Sequence, residues 1–258
     1  MRQKKTVLTL VFIVLMSLFG MAVFSNTGEN LALVSSLKST YTVVIDPGHG
    51  GFDGGAVGKD GTAEKDINLA ISMELQKIMK DYGIEVIMTR DCDKSLNGDG
   101  STGSKAKTED IKTRAKIIAE ANPDLTISIH LNSYPSDASV YGAQVFYSYN
   151  EQKRTIAKTH EQLSKNYGEN VQKSLEINIL DGRERKAMSK NDTYLLKHVR
   201  SPFILVECGF LSNNDECQKL KRADYQRLLA KAIWDGINTS LCLERTQKIH
   251  VIQSSNKG

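Results

Sequence analysis

The hydrophobic and polar positions of the chain divide into one long apolar run and then a series of short, alternating elements. From Val7 to Phe24 the sequence VLTLVFIVLMSLFGMAVF carries no charge, and Arg2, Lys4 and Lys5 stand before it. A basic start followed by an apolar run is the pattern of an export leader. About 17–25 residues of this kind also suffice to cross a bilayer. Residues 1–25 are therefore expected to be a signal peptide or a membrane anchor, with the cationic end in the cytoplasm if it is retained. Residues 26–40 are small and polar and read as a linker. A buried core helix explains the run less well, because the run is uncharged and N-terminal.

From Tyr41 onward, β-branched runs alternate with helical spacing. Tyr41–Asp46, Ile84–Thr89, Leu125–His130, Ala143–Tyr147 and Phe203–Cys208 read as strands. Ile67, Ile71, Leu75, Ile78 and Met79 predict a helix from Ile67 to about Tyr82, capped by Asp66 and stopped by Gly83. Ile111, Ala115, Ile118 and Ala119 predict a second helix over Glu109–Asn122, ended by Pro123. Residues 151–179 read as a polar helix, and Tyr225, Leu228, Leu229, Ala232, Ile233 and Ile237 as a final amphipathic one. Asp91–Thr108, with three glycines close together, reads as a mobile surface loop, and residues 244–258 as a loose polar tail. Strands alternating with helices imply an α/β fold. We expect a single three-layer domain over residues 41–243, with a mostly parallel twisted sheet and helices on both faces.

Composition adds exclusions. With 40% hydrophobic residues, 25% charged and 4 Pro, the chain is neither disordered nor a Pro-rich linker. The net charge is +4, and three of the cations lie in the leader, so the rest is close to neutral. No basic stripe argues for nucleic acid. Cys92, Cys208, Cys217 and Cys242 form no CxxC pair, which leaves a zinc knuckle or a redox motif unsupported. Cys208 lies in an apolar strand and reads as a buried thiol, and no essential disulfide is expected.

In parallel sheets the reactive residues gather at the carboxyl ends of the strands. His49 lies just past the first strand, His130 closes the third, and Glu207 lies near the end of FILVEC. The loop DPGHGGFDGGAVGKDGTAE lacks the Gly-x4-Gly-Lys-Ser/Thr pattern of a phosphate cradle. Its glycines instead let the backbone approach a central object. His49, Glu64 and His130 could hold a zinc ion and leave one position open. Plainer roles remain alongside: a hydrogen-bonded surface His, and a Glu facing a helix dipole. Glu207 is harder to explain away, because a carboxylate between Val206 and Cys208 is costly to bury without a partner.

The blocks VVIDPGHGGFDGGAVG with Glu64, TR at 89–90, Arg114, AN at 121–122, SIHLN at 128–132 and VECGFLSN at 206–213 occur in this order. Over about Tyr41 to Leu241 the chain resembles the zinc-dependent N-acetylmuramoyl-L-alanine amidases of the amidase-3 family. TRDCDKSL at 89–96, DIKTR at 110–114 and GAQVFYS at 142–148 resemble its germination-specific, CwlD-type subgroup. The resemblance implies Zn2+ as cofactor, with His49, Glu64 and His130 as its ligands and Glu207 as the catalytic carboxylate. It implies cleavage of the amide between N-acetylmuramic acid and L-alanine in peptidoglycan. For the subgroup it implies maturation of the spore cortex, where stem-peptide removal precedes muramic lactam formation by a separate deacetylase.

Asn132 either donates a hydrogen bond to the sugar or lactyl group, or simply ends its strand. Arg90 and Arg114 are expected to brace loops through carboxylates, and His160, His198 and His250 to lie on the surface. The span from His130 to Glu207 leaves no room for the inhibitory helix that some family members insert. No wall-binding repeat is read, so targeting falls to the leader or to another protein. An extracytoplasmic place, in the spore envelope, follows from these readings. A three-ligand site open on one side retains its metal weakly, which leaves room for an envelope or lipoprotein activator that closes over it. Two rivals remain: another zinc peptidase acting on the stem peptide, and a wall-binding module without catalysis. The intact set of two His and two Glu argues against the second.

Overall fold

The structure, a computed structural model, describes residues 40–148 and 155–255. The expected leader (1–25) and all of the linker but residue 40 lie outside the described residues, as do 149–154 and 256–258. Among the described residues no helix is long and apolar enough to cross a membrane.

The strands are β1 (Thr42–Pro47), β2 (Glu85–Met88), β3 (Leu125–Asn132), β4 (Gln144–Ser148), β5 (Met188–Lys190) and β6 (Phe203–Phe210). The helices are α1 (Glu64–Asp81), α2 (Ser104–Ala121), α3 (Thr155–Ile179), α4 (Tyr194–His198), α5 (Asn214–Leu220) and α6 (Ala223–Ser255). One sheet runs in the order β2-β1-β3-β6-β4-β5. β2, β1, β3 and β6 are mutually parallel, and β4 joins β6 antiparallel. This is the expected α/β architecture.

The central strands are apolar on both sides, as a covered parallel sheet requires. Alternate residues feed two separate cores. Val43, Ile45, Ile127, Ile129, Ile204 and Val206 pack with Ile71 and Leu75 of α1, Val171 of α3 and Ile233 of α6. Val44, Phe203 and Leu205 point the other way and pack with Ile118 of α2 and Leu195 and Leu196 of α4. The period of two in the strands and the 3.6-residue stripe of the helices thus make the three layers. α3 is part of this packing, with Tyr167, Val171 and Leu175 buried.

Several boundaries differ from those read in the sequence. α1 begins at Glu64, with Ala63 rather than Asp66 at its cap position; Asp66 sits in the first turn. α2 begins at Ser104, five residues before the expected Glu109, so the loop is Asp91–Gly103. Those first residues hold one apolar position, Ala106, which alone shows no period. The final helix continues past Leu243 to Ser255, a stretch with neither Gly nor Pro to stop it. β5, α4 and α5 are too short to show a period.

Candidate metal centre and active site

β1, β3 and β6 end side by side, and the register pairs Asp46 with Ser128 and His130 with Glu207. The loop after β1 returns to start α1, which places Glu64 between His49 and His130. Glu64 Oε1 lies 3.3 Å from His49 Nε2 and 3.0 Å from His130 Nδ1. The candidate ligand atoms of the three residues all lie within 4.8 Å of one another. The two imidazoles meet edge to face, with ring centroids 5.0 Å apart. The three residues named from the sequence are thus brought together.

Two glycines make that convergence possible. A Cβ on Gly48 would fall 2.2 Å from the His130 ring. A Cβ on Gly55 would fall 2.6 Å from Glu64 Oε2 and 2.7 Å from His49 Cδ2, and Gly55 also takes a positive φ of 71°. His49 itself adopts a left-handed backbone at φ 61°, uncommon for a residue with a side chain.

Two of the three ligand candidates, His49 and Glu64, are held from behind. His49 Nδ1 lies 2.7 Å from Asp53 Oδ2. A carboxylate accepts only, so Nδ1 carries the proton and Nε2 faces the cluster. Asp53 Oδ1 in turn accepts from Lys107 Nζ of α2 at 2.6 Å. Glu64 accepts from the backbone N–H groups of Leu131 and Ala56 and from Asn68 Nδ2. Such outer partners fix ring orientation and ligand direction at metal sites.

The charges fit the same picture. Burial alone would lower the pKa of His49, but hydrogen bonds to Asp53 and Glu64 outweigh it and raise the pKa to about 9. Burial likewise works against the Glu64 carboxylate, yet the two imidazoles hold it far below the usual range. A cation at the centre would displace the proton that His49 Nε2 shares with Glu64. Nitrogen and carboxylate donors at this spacing fit a zinc ion.

Glu207 stands apart from this cluster on the neighbouring strand. Its Oε2 is buried and has no hydrogen-bond partner. Burial, joined by the nearby Glu64 carboxylate, pushes its pKa up against the pull of His130 and Lys190. A buried carboxylate oxygen without a partner is rare in native proteins and calls for a reason. Asn132 ends β3 beside a register irregularity, and its Oδ1 accepts from the N–H of Ser133.

Beneath the site, Arg114 Nη1 donates to Asp46 Oδ1 and to the carbonyl of Pro47, both at 2.7 Å. Thr89 and Ser128 hydroxyls complete the Asp46 shell. Arg114 braces through carboxylates as expected. Arg90 does not: its hydrogen bonds all go to main-chain carbonyls. His160 Nδ1 lies against the carbonyl of Arg200, and His198 stacks on Tyr194, both away from the cluster. The side chain of His250 lies outside the described residues. Sequence reasoning missed Asp53, Asn68 and Lys107. The four-residue spacing of His49 and Asp53 was visible, but nothing in the sequence said that the glycine turn folds one onto the other.

The sequence profile of the N-acetylmuramoyl-L-alanine amidase family (Amidase_3) matches residues 43–239. The germination-specific N-acetylmuramoyl-L-alanine amidase of Bacillus subtilis is 37% identical over 229 residues, covering 88% of this chain and 90% of that relative. Among solved structures, the CwlD amidase from Clostridioides difficile, in complex with the GerS lipoprotein, superposes with a TM-score of 0.71. It is 38% identical and covers 79% of this chain and 99% of its own. An N-acetylmuramoyl-L-alanine amidase from Clostridium difficile 630 gives a TM-score of 0.64 at 31% identity, covering 79% and 98%.

Proposed function

The chain belongs to the N-acetylmuramoyl-L-alanine amidase family, and on that premise we propose a zinc-dependent hydrolase that acts on peptidoglycan during spore maturation. The carrying observation is the pairing of a converged His49–Glu64–His130 set with an unpartnered carboxylate on the adjacent strand. His49, Glu64 and His130 hold the ion. Zinc bound there supplies Lewis acidity, polarising the scissile carbonyl and acidifying a water.

The remaining work falls to the protein. Glu207 accepts the proton of the attacking water and passes it to the amine of the departing L-alanine. Burial raises its pKa, which favours a group that both takes and gives a proton. Asp53 keeps the His49 proton on Nδ1, so the ring presents Nε2 to the ion. Asn132, at the end of β3, orients the sugar or lactyl side of the substrate through its amide.

The zinc reading is tested by metal analysis of His49→Ala, which is expected to lose most of its zinc. Unchanged content would remove His49 from the ligand set. The reaction is tested by mass analysis of purified peptidoglycan after incubation with zinc-loaded protein. Release of whole stem peptides with a free N-terminal L-alanine is expected. Release of single terminal amino acids would instead identify a peptidase acting on the stem.

The spore role rests on the B. subtilis relative, which is germination-specific by name. Spores of a deletion strain are expected to lack muramic lactam in their cortex, and normal lactam content would refute the role. An exported or membrane-anchored enzyme, carried by residues 1–25, fits this substrate. A lipoprotein partner is in keeping with the C. difficile CwlD complex. Co-purification with an envelope lipoprotein that raises zinc retention is expected, and retention unchanged by any such protein would count against it.

A further inference from the structure

We propose that Arg90 is a positioning residue for the metal centre, its guanidinium setting the separation of His49 and Glu64. This rests on the zinc reading above and concerns residues that the reading leaves unused. Arg90 follows β2 and is 1% exposed. A single nitrogen, Nη2, donates to the carbonyl of Gly48 at 2.9 Å and to the carbonyl of Lys65 at 2.8 Å. Gly48 immediately precedes His49, and Lys65 immediately follows Glu64. One donor atom therefore joins the two backbones that carry two of the three ligand candidates. Nε adds the carbonyl of Pro47 at 3.0 Å, and Nη1 ties the group to its own loop through the carbonyl of Cys92 at 3.1 Å.

The arrangement is costly if its only purpose is to fill space. Among the described residues no carboxylate forms an ion pair with Arg90, and a buried cation without one carries a desolvation penalty. Burial and the neighbouring Arg114 charge press its pKa downward and outweigh the pull of Asp46, Asp93 and Asp110, none of which bonds to it directly. All its direct hydrogen bonds go to four carbonyl dipoles rather than to those carboxylates. That trade makes sense where the geometry of the acceptors is the point.

The loop lies directly on the guanidinium. A Cβ on Gly50 would fall 3.0 Å from Arg90 Cδ and Nε, so no side chain intervenes. Arg114 continues the clamp by one residue, donating from Nη2 to the carbonyl of His49 at 2.5 Å. Pro47, Gly48 and His49 thus each have their carbonyl held by a guanidinium. This holds His49 in a left-handed conformation that would otherwise cost about 1–3 kcal/mol to populate. A lysine keeps the charge but not the planar fork, and it cannot serve four carbonyls in this layout.

The test is Arg90→Lys in the full-length protein, with Arg90→Gln as a second variant that loses the charge and most of the fork. Zinc affinity is read by competition with a chromophoric chelator, ligand geometry by the visible spectrum of the cobalt-substituted protein, and fold by thermal unfolding without metal. A fall of about 10–100-fold in zinc affinity is expected, the range seen when outer-shell partners of metal ligands are removed. A changed cobalt spectrum should accompany it, with cooperative unfolding kept. Wild-type affinity and spectrum in either folded variant, with only a lowered Tm, would make Arg90 an ordinary buried brace and overturn the proposal. If wild-type protein takes up neither metal, the zinc reading falls and the proposal with it.

Discussion

His130 and Glu207 are register partners on the adjacent parallel strands β3 and β6. Their side chains project from the same face of the sheet, yet they have opposite circumstances. His130 is engaged with Glu64, whereas Glu207 keeps an oxygen without a partner. The pairing places an idle carboxylate one strand from the ligand set, where a proton acceptor for catalysis is needed.

Glu207→Gln is isosteric and removes a charge whose buried Oε2 accepts no hydrogen bond. The variant should fold and bind zinc normally while hydrolysis drops by about 10²–10⁴-fold, the usual share of general acid–base catalysis. Peptidoglycan digestion by variant and wild type at equal zinc content measures this. Substantial remaining activity would remove Glu207 from the proton path.

Gly48→Ala puts a methyl group against the His130 ring, where the available distance is 2.2 Å. Either the imidazole or the loop must move. Zinc content should fall sharply, while the far-UV circular dichroism stays that of the wild type. A variant with full zinc would show that the approach of loop and ring is not needed for binding.

Asp53→Asn replaces an acceptor with an amide that can present either oxygen or nitrogen to His49. The imidazole is then free to choose its tautomer, and metal affinity should fall about 10–100-fold. Zinc uptake by the wild type should also release about one proton near neutral pH, because His49 is protonated in the metal-free protein up to about pH 9. An indicator dye in weak buffer detects it, and zinc uptake without proton release would contradict the assignment.

Asp46→Asn bears on stability rather than chemistry. Burial would raise the Asp46 pKa, but the Arg114 charge and hydrogen bonds from Thr89, Arg114 and Ser128 outweigh it and lower the pKa. The folded carboxyl thus stays ionised below the pH, about 4, at which its unfolded counterpart takes up a proton. Its contribution is present above that pH and is lost as pH falls further, through the folded value. The variant should lose about 3–5 kcal/mol at pH 7, since it leaves Arg114 short of a buried partner. Urea unfolding at pH 7 and below pH 4 should show the gap narrowing in acid. A constant gap would mean that Asp46 is not the ionised partner.

Much of this was legible before the structure. Strands such as TVVID and FILVEC declare themselves by β-branched apolar residues, and Ile67 to Met79 by helical spacing. His49, His130 and Glu207 were placed at one sheet edge by the strand-end rule alone. What escaped has physical reasons. Ser104–Thr108 begins a helix with a single apolar residue, Ala106, which is too little to show a stripe. Asp53 acts through a glycine turn whose path depends on φ values that the sequence does not encode directly. Arg90 looked like a partner for acids, but its acceptors are backbone carbonyls, which leave no mark on residue type.

The sheet order has a consequence for when the chain can first be active. β6 sits between β3 and β4 although it is made after both. Until residues 203–210 arrive, β3 and β4 have no shared neighbour, and the cleft lacks Glu207. On the proposed assignment, a chain that emerges N-terminus first presents His49, Glu64 and His130 well before Glu207, which arrives once about four-fifths of the length has passed. Arrival of the last central strand thus completes the sheet and the proposed site in one step.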